Sequence, residues 1–157
     1  MPRHKYKKTK IKPDKVFNSH EVAKLISYLM VDGEKAVAEK IVYQAFAELK
    51  KQGEDPLRTL HQAIDNVSPN FEVKPRRLGG ASYLVPIEVR RDRRIFLALN
   101  WIIEAARSRT NKEYHSFSKK LLAEIVEAAK NQGQAVGKKQ ATEKLAETNK
   151  AFSHLKW

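Results

Sequence analysis

A chain of 157 residues with 41% hydrophobic residues is long enough for one domain with a buried core, and its composition is unlike that of a disordered or membrane protein. It contains no cysteine, which excludes disulfides, thiolate metal sites and thiol catalysis. No apolar run approaches the roughly 18 residues of a membrane span, and no apolar stretch follows the basic N-terminus as in a secretory signal. We therefore expect a soluble protein with no membrane association; the absence of cysteine fits a reducing cytoplasm and does not by itself determine the compartment.

The net charge of +13 is concentrated in two segments. Residues 1–15 carry a net charge of +6 and residues 74–94 a net charge of +5, which leaves +2 for the rest of the chain. Clustered cations of this kind indicate a polyanionic partner, because each Lys or Arg near a phosphate displaces condensed counterions. The alternative is a solvated charged face. The candidate binding residues of these two segments are Arg3, Lys5, Lys7, Lys8, Lys10, Lys12, Lys15, Lys74, Arg76, Arg77, Arg90, Arg91, Arg93 and Arg94.

The first residues of the chain lack the apolar material of a folded element. Residues 1–17 are predicted to form a basic N-terminal extension, disordered in isolation and ordered only on a partner. Residues 18–157 are predicted to form a single helical domain. Asn18 and Glu21 have the spacing of a capping box, and an apolar stripe at helical spacing follows them, which predicts a first helix.

Two further helices are predicted before the pattern changes. A second apolar stripe predicts a helix over about 34–52, with Gly53 as its stop. Asp55 followed by Pro56 predicts an N-cap with proline at the first helical position, and the third helix continues up to Pro69.

The hydrophobic period then becomes two on both sides of Gly79-Gly80, which predicts a two-stranded β-hairpin arm at about 71–90. Pro75 and Pro86 cannot donate to a ladder, so a free ribbon is favoured over membership of a larger sheet. An isolated ribbon is marginal in water. We therefore expect this charged arm to protrude from the body and to settle on an RNA surface.

The second half of the chain is predicted to be helical. A fourth helix, apolar nearly all round, begins near Asp92 and is the candidate central core helix. Three more candidate binding residues lie at its C-terminal end, namely Arg107, Arg109 and Lys112. The last two helices are predicted at about 116–131 and 138–154. The predicted fold class is mainly α, with a six-helix, bundle-like body and a protruding hairpin.

No motif indicates catalysis. None of the five histidines has a metal-ligand spacing with another histidine or a carboxylate, and neither GxxxxGK nor GxGxxG occurs. We expect a protein that is not an enzyme and that binds no metal or cofactor. At the hairpin tip, Gly79-Gly80 predicts a turn with positive φ. A second hypothesis is that the tip approaches nucleic acid closely and that Tyr83 stacks on a base or ribose. Trp157 is either a buried lid on the last helix or a contact residue.

Four runs of residues resemble a known family. They are residues 16–19 (VFNS), 29–35 (LMVDGEK), 74–90 (KPRRLGGASYLVPIEVR) and 146–157 (AETNKAFSHLKW). Together they look like the family of the seventh protein of the small ribosomal subunit, bacterial type, and the likeness extends over essentially the whole chain.

The resemblance implies a six-helix fold with a protruding hairpin and a structural role in the small ribosomal subunit of the cytoplasm or of an organelle. It implies binding to the 3′ major domain of the small-subunit rRNA, initiation of head assembly, and neighbours in the ninth and eleventh small-subunit proteins. It assigns rRNA contacts to the cations named above. It also places the hairpin tip near the exit-site tRNA and the mRNA, at Gly79, Gly80, Ala81, Ser82 and Tyr83.

Two other classes of protein share some of these features. A helical DNA-binding regulator could place a helix in the major groove, but the cations here cluster on a tail and a hairpin rather than on one recognition helix. A protein-interaction module would show an RNA affinity nearly independent of salt.

Overall fold

The structure is a computed structural model that describes residues 11–155 of the chain. Over that range the protein is mainly helical with one antiparallel pair of strands, as the sequence predicts. The elements in chain order are α1 (His20–Leu29), α2 (Lys35–Lys51), α3 (Pro56–Val67), β1 (Phe71–Leu78), β2 (Ala81–Glu88), α4 (Arg91–Ser108), α5 (Asn111–Tyr114), α6 (Phe117–Ala129), α7 (Gln134–Thr148) and a 3₁₀ helix (Lys150–Leu155). No helix in this part of the chain is long and apolar enough to cross a bilayer.

The described part of the chain divides into two compact units, with the boundary between Lys40 and Ile41. In the first unit, the Asp14 carboxylate is buried and its Oδ2 accepts hydrogen bonds of 3.0 Å from the backbone N–H groups of Val16 and Phe17. An ordered turn therefore occupies the end of the segment predicted to be disordered. The predicted single domain of residues 18–157 stays a prediction.

The first helix begins one residue later than its capping pattern indicated. Ser19 is the N-cap, in extended conformation, and its Oγ accepts a hydrogen bond of 3.3 Å from the backbone N–H of Glu21. Asn18 lies in the left-handed region with a φ of +49° and closes the preceding turn instead. The capping box predicted for Asn18 and Glu21 is therefore wrong, because an N-cap needs an extended backbone that Asn18 does not have.

The second unit has its core where α3, α4, α6 and α7 pack together. Apolar side chains at helical spacing face one another there and are almost fully excluded from solvent; they include Leu60, Ile64, Leu99, Ile102, Leu121, Ile125 and Val136. Burying each Leu or Ile of this kind contributes about 1.5–3 kcal/mol. This core is the scaffold from which the hairpin extends.

The predicted helices of this unit are present with three differences. The Asp55 N-cap and Pro56 are confirmed, since Asp55 Oδ1 accepts from the backbone N–H of Leu57 at 3.0 Å. The short helix α5 was not predicted. The last predicted helix begins earlier, at Gln134, and becomes a 3₁₀ helix from Lys150 onward. Helix α4 contacts the three other core helices, but its first half is only partly buried.

The hairpin is longer than its apolar pattern indicated, with eight residues in each strand. Leu78 pairs with Ala81, so Gly79 and Gly80 form a two-residue loop, with φ values of +56° and +89°. Positive φ at both central residues defines a type I′ turn, whose twist matches that of the flanking strands. A Cβ at either glycine would meet no atom within 4 Å, so the backbone conformation rather than space requires glycine there.

Candidate nucleic-acid interface

The hairpin and the start of α4 together carry seven cations. Lys74, Arg76 and Arg77 lie on β1, and β2 returns the chain to the base of the ribbon, where α4 begins with four arginines in quick succession. We call this group the cationic arm; its members are Lys74, Arg76, Arg77, Arg90, Arg91, Arg93 and Arg94. The antiparallel return of β2 brings Lys74 close to Arg93 of α4, although most of the hairpin separates them in sequence.

One carboxylate ties the two parts of the cationic arm together. Glu72 Oε2 lies 3.3 Å from Nε of Arg93, and Glu72 Oε1 lies 3.6 Å from Nζ of Lys74. The side chain of Glu72 is 14% exposed, whereas those of Arg93 and Lys74 are about half exposed. One carboxylate cannot neutralise two cations, so a net positive charge remains at the base of the ribbon. Glu72 was not singled out in the sequence, although its i, i+2 spacing from Lys74 on a strand places both on one face.

A cleft of about 700 Å³ opens beside this carboxylate. Its walls come from β1, from the end of β2 and from the first turn of α4, and its lining residues are Glu72, Lys74, Ile87, Glu88, Val89, Arg90 and Arg93. The cations of the wall have exposed side chains, and the carboxylate of Glu72 holds two of them in place. The cleft therefore has three exposed cations in its wall, two of which contact Glu72.

The arginines at the start of α4 oppose the helix dipole. The N-terminal end of a helix carries a partial positive charge, which favours acidic side chains. Only Asp92 is acidic in the first turn of α4, and the N-cap Arg90 makes no capping hydrogen bond through its side chain. Four arginines at this position are therefore unfavourable for the helix itself.

The cations at the other end of α4 have different surroundings. Helix α4 spans 18 residues, so its two ends lie about 25 Å apart. Arg107 and Lys112 are exposed to solvent. Arg109 lies inside the protein with its side chain only 12% exposed, and its guanidinium contacts carboxylates of α6.

The guanidinium of Arg109 is fully engaged by its neighbours. Its Nη2 lies 2.5 Å from Oε2 of both Glu124 and Glu127, and its Nη1 donates to the Tyr114 hydroxyl at 2.9 Å. Burial by itself lowers the pKa of Arg109, but the hydrogen bonds and charges of Glu127 and Glu124 outweigh it, and the net effect raises the pKa. The group therefore stays charged at every ordinary pH.

Glu124 is the deepest member of this cluster, with a fully buried side chain. Its Oε1 accepts a 3.0 Å hydrogen bond from the backbone N–H of Ala135 in the first turn of α7. The carboxylate thus joins Arg109 of the α4 end to the N-terminus of α7, where the helix dipole favours an anion. The geometry gives Arg109 a structural role, and we leave it out of the binding surface that its sequence position indicated.

The remaining candidate residues are distributed as follows. Lys12 and Lys15 are exposed beside the Asp14 turn. Arg3, Lys5, Lys7, Lys8, Lys10 and Trp157 lie outside the described residues. The tip residues Gly79, Gly80, Ala81 and Ser82 are exposed, while Tyr83 is partly covered. Within residues 11–155, no group of three or more His, Cys, Asp or Glu side chains could hold a metal ion.

These features define a mainly helical protein that carries an exposed cationic ribbon, a class suited to a polyanionic partner. Comparison with known proteins gives the family. The family model described as Ribosomal protein S7p/S5e matches residues 1–150. The chain is 51% identical to the small ribosomal subunit protein uS7 of Caldicellulosiruptor bescii and 49% identical to that of Thermosipho africanus, with full coverage of both chains in each case. It is 47% identical to uS7 of Paramagnetospirillum magneticum, over 99% of this chain and 98% of that protein.

The chain belongs to the S7p/S5e family of ribosomal proteins. This membership confirms the resemblance seen in the sequence. It also confirms the expectation of a ribosomal protein that is not an enzyme.

Proposed function

We propose that this protein binds the 3′ major domain of the small-subunit rRNA and nucleates assembly of the subunit head. In this proposal the hairpin tip lies near the exit-site tRNA and the mRNA, and the ninth and eleventh small-subunit proteins are its protein neighbours. The relatives named above are small ribosomal subunit proteins, which supports a site of action on that particle.

The observation that carries the proposal is the cationic arm. Its cations lie on a ribbon and at a helix start, where the helix dipole disfavours them. The mostly buried carboxylate of Glu72 contacts two of them. Such ordered cations on a protruding element suit phosphates of a folded RNA, which proteins recognise largely by shape and backbone. Lys12, Lys15 and the basic residues before them would add contacts from the N-terminal segment.

The test removes two charges from the arm and compares the result with the removal of two charges elsewhere. Arg77 and Arg90 are exposed, and so are Lys50 and Lys51 at the end of α2. We expect Arg77→Gln/Arg90→Gln to weaken binding to a 3′ major domain RNA fragment and to reduce the slope of log affinity against log salt by about 1–2, since each phosphate contact contributes about 0.7–0.9. Lys50→Gln/Lys51→Gln loses the same charge and should change the slope little.

The same titration separates the alternatives. If both double variants reduce the slope of log affinity against log salt equally, the cationic arm contacts the RNA no more than other surface cations do, and the proposal is wrong. Duplex DNA should compete poorly with the RNA fragment; strong competition would favour a DNA-binding regulator.

A further inference from the structure

The hairpin rests on the C-terminal segment of the chain. Strand β1 packs against α7, and β2 packs against α7 and against the 3₁₀ helix that follows it. A two-stranded ribbon is marginally stable at best by itself, so these contacts decide whether the arm has a fixed direction.

The ribbon is attached to this segment at two levels. At its base, the backbone N–H of Asn70 donates to Glu143 Oε1 of α7 at 3.0 Å. Farther out, the ring of Tyr83 lies against that of Phe152 in the 3₁₀ helix, with ring centres 5.2 Å apart and planes tilted by 50°. Tyr83 is only two residues beyond Ala81, where β2 begins next to the turn. The second attachment therefore holds the outer half of the ribbon.

An open cleft of about 510 Å³ adjoins the base attachment. Phe71 and Pro86 of the ribbon line it on one side, and Ala146, Lys150 and Ser153 line it on the other. Tyr83 lies closer to the turn than either of these ribbon residues. The exposure of β2 agrees with an attachment at Tyr83, because Tyr83 is partly covered whereas its neighbours Ser82 and Leu84 are exposed.

We propose that Phe152 is a positioning residue that fixes the direction of the hairpin arm by holding Tyr83. Tyr83 then acts as an anchor within the protein, in place of the base-stacking role that its position near the tip suggested. Because Arg76 pairs with Tyr83 in the strand register, the same contact fixes the position of Arg76 and of its neighbour Arg77. The anchor is a property of the free protein, and its consequence for RNA binding rests on the proposed function.

Hydrogen exchange of the free, full-length protein tests the anchor directly. We expect Phe152→Ala and Tyr83→Ala each to speed exchange of the hairpin amides by about two- to tenfold, the range for loss of one aromatic pair. The double variant should exchange no faster than either single variant, because both remove the same contact. Amides of α6 should be unaffected, which shows that the body is still folded.

Conservative variants provide the control. Phe152→Tyr and Tyr83→Phe keep both rings and should exchange like the wild type, while Phe152→Leu should fall in between. Unchanged hairpin exchange in Phe152→Ala, or additive effects in the double variant, would overturn the proposal.

RNA binding then distinguishes positioning from direct stacking. If Tyr83 positions the arm, Tyr83→Ala and Phe152→Ala should weaken binding equally. If Tyr83 stacks on a base, Tyr83→Ala should weaken binding while Phe152→Ala does not, and the anchor role is refuted. If exchange changes as expected but neither these variants nor Arg77→Gln/Arg90→Gln alters RNA binding, the anchor stands and the proposed function fails.

Discussion

The two ends of helix α4 carry the same kind of residue in opposite situations. At its start, Arg91 and Arg93 are exposed to solvent, and Arg93 contacts the carboxylate of Glu72. Just beyond its end, Arg109 is nearly buried and contacts two carboxylates of α6. The cations at the start oppose the helix dipole and are exposed, whereas the guanidinium of Arg109 is held by side chains of the protein itself. Position in the fold, and not the basic residue itself, decides which arginines are available for binding.

The largest expected effect comes from breaking the buried cluster. Arg109→Gln would leave the fully buried carboxylate of Glu124 without its cation, and losing one partner of a buried pair costs about 3–5 kcal/mol. We expect the free energy of unfolding, measured by urea titration, to fall by about 3 kcal/mol, the lower part of that range, because Arg109 keeps slight exposure.

Arg107→Gln is the matched control, since Arg107 lies at the same end of α4 but is exposed. Its unfolding free energy should stay within about 0.5 kcal/mol of the wild type. Equal losses in the two variants would mean that the cluster around Arg109 contributes no more than a surface ion pair.

A smaller loss is expected at the glycine that faces the same cluster. Gly133 has a φ of +92°, and a Cβ there would lie 3.1 Å from Glu124 Oε1 and 3.1 Å from Glu127 Oε2. Gly133→Ala therefore combines an unfavourable backbone conformation with a close contact, and we expect a loss of about 2 kcal/mol in urea unfolding.

Gly137 provides the comparison for that glycine. It lies within α7 without a positive φ, and a Cβ there would meet no atom within 4 Å. Gly137→Ala should stabilise the protein by up to about 1 kcal/mol, because alanine has the higher helix propensity. A stabilising Gly133→Ala would show that the carboxylates of Glu124 and Glu127 move aside easily.

A small gain in stability is expected at the start of α4. Arg91→Glu places an acidic side chain where the helix dipole favours it, so we expect a stability gain of about 0.5 kcal/mol. The same change should weaken binding to the RNA fragment, measured in parallel at fixed salt. If Arg91→Glu lost stability, the cations at this end would be part of the fold, as Arg109 is, and the contrast between the two ends would disappear.

Local patterns predicted the features that depend on neighbouring residues alone. The Asp55-Pro56 start of α3 and the Gly79-Gly80 turn were both predicted correctly, because capping and positive φ are set within a few residues. Asn18 was misassigned as a cap because two adjacent polar residues, Asn18 and Ser19, could each serve, and only the turn around Asp14 selects Ser19.

In the candidate site too, the sequence revealed local features but not the contacts between elements. The cationic arm was visible as a charge cluster, and its ribbon as a change of period. The role of Arg109 was not visible, because its partners lie 15 and 18 residues farther along the chain. Glu124 and Glu127 are spaced i, i+3 and so share a helix face, which is the signal that could have indicated a partner for a nearby cation.

The sequence by itself determined the mainly helical class, the hairpin with its glycine turn, the clustering of charge and the family, because periodicity, turn chemistry and ordered motifs are local or additive properties. Only the tertiary structure decided that Arg109 is buried, that Glu72 holds Arg93 and Lys74, and that Phe152 lies against Tyr83. Each of these contacts joins residues from different elements. Their formation depends on how the elements pack, and no local pattern contains that information.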